Sequence, residues 1–167
     1  MVDLTTVRTL LVHNDWANGE LLRCAAPLPA APLDRPIDMG VGSLRRTLLH
    51  IYNGEHVWLQ RWRRQSETPW PSEDELVAMA DLSSRFTRQY QERDAFLATL
   101  TPADVARAQV YRDSKGGLFT ATLGDMLLQA LHHSAHHRAQ AVNMLRQVGA
   151  EAPELDYMVR VRRPVAT

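Results

Sequence analysis

The stretch LHHSAHHRAQ, residues 131–140, places four of the chain's seven histidines within six positions. Its surroundings decide how it folds. Leu123, Leu127, Ala130, Ser134, Ala141, Met144 and Val148 recur at alternating steps of four and three, the spacing of one helical face. His137 fills the vacant step between Ser134 and Ala141, so it points toward the core. At about 100° per residue, His133 lies on the flank of the same stripe. His132 falls almost opposite the stripe and His136 well outside it. The inward pair is therefore His133/His137, and the outward pair is solvated. The helix runs over about 123–148, with Thr122 and Asp125 as a capping pattern and Gly149 as the residue that ends it.

Three more long helical patterns precede this one. The first covers residues 3–26, with Leu10, Leu11, Asn14, Ala17, Asn18 and Leu21 on one face, and stops at the prolines of APLPAAPL. The second covers residues 43–65, with Ser43 as N-cap and a stripe of Leu44, Leu48, Ile51, Glu55, Trp58, Leu59 and Trp62. Trp16 and Trp58 are expected as core anchors. Glu55 lies within its helix's stripe, and a buried carboxylate needs a partner; Arg138 is the expected one. Asn14 and Asn18 are expected to hydrogen-bond inside the core. The third pattern covers residues 73–100, with Ser72 and Glu75 read as a capping box. Residues 105–121 read as a loop holding a short hairpin, turned at Lys115-Gly116-Gly117. The expected fold is all-α: a single four-helix-bundle domain over 1–167.

Composition narrows the function classes. Lys plus Arg equals Asp plus Glu at 19 each, which gives no general attraction for nucleic acid. No apolar run approaches the roughly 20 residues that span a bilayer. The N-terminus shows no basic stretch leading into an apolar run, and the single cysteine, Cys24, allows no intrachain disulfide. These features predict a cytoplasmic protein with neither a nucleic-acid nor a membrane partner.

Two histidines at i and i+4 on an inward face can hold one divalent metal, because both side chains rise over the same turn. A third ligand must come from another helix. His50 and His56 on the second helix and His13 on the first are the candidates, and periodicity does not choose among them.

Three stretches, the opening one among them, carry a resemblance. HNDWAN (13–18), LLHIYNGEHVWL (48–59) and HHSAHHRAQ (132–140) stand in the order and spacing of the DinB family's helix motifs, and Gly149 with Asp156-Tyr157 fits the family's close. The chain resembles that family of bundles, related to thiol-dependent S-transferases, over almost its whole length. It departs at Ala139, where the family usually has glycine. The resemblance implies a metal triad of His50, His133 and His137 and a homodimer; three imidazoles suit zinc or nickel best, though they accept other first-row metals. It also implies a small-molecule substrate and a low-molecular-weight thiol as cosubstrate. Three imidazoles leave coordination positions open, as catalytic sites do. The leading function is thus a metal-dependent thiol S-transferase. A metal-dependent hydrolase, with Glu55 as a base, and a non-catalytic metal-binding stress-response protein are the alternatives.

Overall fold

A computed structural model describes residues 2–165. Four long helices form the bundle: α1 (Leu4–Ala25), α3 (Leu44–Trp62), α4 (Met79–Ala98) and α6 (Leu123–Gln147). Three short helices, α2 (Ala30–Asp34), α5 (Pro102–Ala106) and α7 (Tyr157–Val161), sit in the connections. A hairpin of β1 (Ala108–Arg112) and β2 (Leu118–Thr122) precedes α6, antiparallel with Val110 opposite Thr120. α6 packs chiefly on α3 and then on α1.

Local chemistry sets most of these boundaries. Asp3 caps α1 by accepting from Thr6 N at 2.7 Å. Thr122 caps α6 by accepting from Asp125 N at 3.1 Å, and Gly149 takes φ +75° just beyond the C-cap. That left-handed angle is where glycine ends a helix without a steric penalty. The hairpin turns through Asp113, whose carboxylate accepts from the backbone of Lys115 and Gly117.

The expected start of the third long helix at residue 73 is wrong. α4 begins at Met79, with no side-chain cap at Ala78. The residues read as its first turn are used elsewhere. Ser72 accepts only from Asp74 N, Glu73 turns toward His50, and the Val77 carbonyl accepts from the buried Arg45 at 2.6 Å. Tertiary partners hold 72–78 out of helix against its capping pattern. Trp58 is buried as expected. Trp16 is only half-buried and packs beside His13 rather than anchoring the core.

The apolar core has two parts. One gathers Leu21, Leu48, Ile51, Leu82 and Met144, the other Leu11, Leu59, Trp62, Leu97 and Leu127. The stripes of all four long helices pass from one part to the other through polar residues: Asn14 and Asn18, Glu55, Tyr90 and Arg93, Ser134 and Arg138. A polar layer thus crosses the middle of the bundle. Glu55 Oε1 accepts from Asn14 at 2.7 Å, Asn18 at 2.9 Å and Ser134 at 2.9 Å. Arg138 donates through Nη1 to the Oδ1 atoms of Asn14 and Asn18. The expected Glu55–Arg138 pairing is therefore indirect: two asparagines bridge the charges, each donating to the carboxylate and accepting from the guanidinium. Beside it, Arg93 grips Asp15 with both terminal nitrogens at 2.6 and 2.7 Å.

Candidate metal centre

At the level of that polar layer, on the side where α3 meets α6, three histidines converge. His50, His133 and His137 each offer a ring nitrogen, and these atoms all lie within 4.8 Å of one another. His50 Nε2 and His133 Nε2 stand 3.2 Å apart. The other two histidines of 131–140 face outward and are exposed, as their helical angles require. His13 lies against Trp16 and Tyr157, and His56 stacks on Tyr52; neither belongs to the cluster.

Glycine makes the close approach of α3 and α6 possible. A Cβ on Gly54 would stand 2.4 Å from His133 Cε1, so the imidazole rests on bare helix backbone. Gly40 plays the same part for Gln140: its φ is +54° and a Cβ there would meet Gln140 Oε1 at 2.4 Å. Gln140 in turn accepts from His137 Nδ1 at 2.8 Å. Glu73 accepts from His50 Nδ1 and from Trp70 Nε1, the latter at 2.7 Å. Burial works to raise the Glu73 carboxyl's pKa, but the hydrogen bonds from His50 and Trp70 outweigh it and leave it lowered. Two rings thus have their Nδ1–H committed to an outer acceptor, which leaves the Nε2 lone pair facing inward.

The cluster is mismatched as a set of neutral side chains. With its proton on Nδ1, His50 cannot donate from Nε2. If His133 donates to it, His133 Nδ1 is left as a buried acceptor with no partner; if His133 carries its proton on Nδ1, two lone pairs face each other. That Nδ1 is indeed buried and unpartnered. Protonating His133 does not resolve the conflict, because burial first and the neighbouring His137 and His50 second push its pKa down to about 3. Burial also lowers the pKa of His137, against the opposing pull of Gln140. Neutral imidazole is the form that ligates metals. Metal–nitrogen bonds of about 2.0–2.1 Å in a tetrahedron separate ligand nitrogens by about 3.3 Å, close to the His50–His133 spacing. The donor set fits a divalent cation.

The sequence pattern of the DinB family matches residues 1–163. The chain belongs to the DinB family. Protein DinB of Bacillus subtilis (strain 168) is 22% identical over 163 residues, covering 89% of each chain. A DinB-like protein from Bacillus cereus ATCC 10987, solved by crystallography, superposes with a TM-score of 0.68 at 16% identity. That match covers 86% of this chain and 91% of the other, and it shows a shared fold. Among the described residues, no helix is long and apolar enough to cross a membrane.

Periodicity singles out His133 and His137 on α6, and the DinB resemblance implies His50; the structure brings all three together. Glu73 and Trp70 escape sequence reading because they lie in an irregular segment with no period. Gln140 and Gly54 are inside the quoted motifs, yet only the structure shows that one orients a ring and the other makes room for one.

Proposed function

We propose that the protein is a metal-dependent enzyme of the thiol S-transferase type, with His50, His133 and His137 holding a zinc or nickel ion. The observation that carries the metal reading is the convergence of His50, His133 and His137 within 4.8 Å, with Nε2 lone pairs turned inward that a cation between them would take up. A bound metal of this kind supplies Lewis acidity that stabilises the thiolate form of a coordinated low-molecular-weight thiol. The chain's own residues do the positioning. Glu73 and Gln140 fix two rings through Nδ1, and Gly54 seats the third. Three protein ligands leave at least one position for a cosubstrate. Glu55 is fixed by three donors within the polar layer, which favours a structural role over the base that a hydrolytic reading would require.

Cobalt spectroscopy tests this reading. Untagged Cys24→Ser protein, loaded with cobalt, should develop a sulfur-to-metal charge-transfer band in the near ultraviolet when cysteine, glutathione or another small thiol is added. His137→Ala should not. Cys24 is buried in the apolar core on α1, so its removal clears the background without touching the histidines. Cobalt binding with no thiol band across a panel of biological thiols would replace this reading with a non-catalytic metal-binding one.

A further inference from the structure

A cleft of about 530 Å³ lies between α6, His13 of α1 and the chain from Pro153 to Tyr157. Small-molecule sites commonly measure about 300–1,000 Å³. Arg138 lines this cleft although the residue is only 7% exposed. Its hydrogen bonds are both made through Nη1, to the asparagines of the polar layer. Among the described residues its Nε and Nη2 donate to nothing, yet neither is sealed from solvent. A guanidinium edge of that kind is shaped for a planar, two-oxygen acceptor.

The opposite wall has the opposite charge. Glu154 and Asp156 are both exposed along it. Asp156 is the N-cap residue of α7, but its carboxylate caps nothing. His13 and Tyr157 meet edge to face at 5.2 Å and add an aromatic surface.

We propose that this cleft binds a small zwitterion of the amino-acid type. The carboxylate takes the Nε–Nη2 edge of Arg138, and the ammonium faces Asp156 and Glu154. A simple anion meets two repelling carboxylates and a simple cation meets Arg138 and Arg146, so a molecule carrying both charges is favoured over either. This site shares no ligand residue with the histidine cluster and stands or falls separately from it.

Nuclear magnetic resonance on the whole chain tests the proposal, because the Arg138 Nε–H gives its own signal. L-Alanine is titrated to about 50 mM, with acetate and methylamine as single-charge controls. L-Alanine should shift that signal saturably and bind more tightly than either control. Glu154→Gln combined with Asp156→Asn should weaken L-alanine about tenfold or more and leave acetate as tight or tighter. Both changes are on the exposed tail, so the fold survives them. Three results overturn the proposal: no saturable shift with L-alanine, acetate binding as well as L-alanine, or indifference of L-alanine binding to the double variant.

Discussion

Two polar clusters lie at the same level of the bundle, and α3 and α6 contribute to both. Around Glu55, carboxylate, asparagines, serine and guanidinium answer one another donor for acceptor. Around His133, lone pairs converge and a buried Nδ1 is left over. The two clusters differ in what is missing rather than in burial or polarity. The bonds that converge on Glu55 are matched and hold the helices in place. In the histidine cluster the inward Nε2 lone pairs are what a cation would take up. Changes in the Glu55 network should therefore cost stability, and changes among the histidines should cost metal.

The largest effect should be on metal content. His50→Ala, His133→Ala and His137→Ala should each lose nearly all bound metal, while His132→Ala and His136→Ala should keep it, as read by elemental analysis of untagged protein. Gly54→Ala should come close to the ligand variants. It pushes a Cβ into His133 while improving helix propensity, so circular dichroism should show full helicity. Normal metal content in Gly54→Ala would mean that His133 does not need its seat on α3.

The Glu55 network should give the next largest effect, on stability. Glu55→Ala leaves Arg138 buried without its counter-charge, and breaking a buried pair costs about 3–5 kcal/mol. Thermal melts of Glu55→Ala, Arg138→Ala and the double variant should show strong coupling. Asn14→Ala should also be destabilising, since Asn14 contacts both charges. Additive losses would show that the asparagines do not transmit the pairing.

How far the sequence reveals this contrast depends on the period of the residues involved. The α6 register follows from apolar steps alone, and it sorts the four histidines correctly. Glu55 shows itself because a carboxylate interrupts an apolar stripe. The contact through which it meets Arg138 is hidden, because helical angles give a direction but no distance across a bundle. Glu73 is harder still. Its segment matches a capping box, but contacts with His50, with Arg85 through Glu75, and with Arg45 through the Val77 carbonyl draw it out of helix. Local pattern fails where a site draws chain out of regular structure.

That recruited segment allows a sharper test. Glu73 touches the candidate ligand His50 through its outer nitrogen, so Glu73→Gln keeps the shape and removes the charge. Loss of such an outer partner typically costs about 10- to 100-fold in metal affinity. Competition with a chromogenic chelator should show a drop in that range with no change in thermal stability of the metal-free form. An unchanged affinity would make Glu73 a fastening for the 63–78 connection and nothing more.

The smallest effect separates the clusters by pH, in metal-free protein. An unfolded chain binds a proton at His133 near the ordinary histidine value of 6.5, but the folded chain does so only near 3. Between those values the unfolded state holds the extra proton, so acidification favours unfolding. From pH 7.5 to 5.5 this one residue should remove about 1.4 kcal/mol of stability. His137, also lowered by burial, shifts stability in the same direction. Urea denaturation at the two pH values should show the loss in the native sequence and a smaller one in His133→Ala. Zinc at saturating concentration should oppose the loss, because ligands that bind only the folded state stabilise it. If His133→Ala keeps the full pH dependence, the buried imidazole is not the group that acid acts on, and the contrast between a matched and a mismatched cluster loses its electrostatic basis.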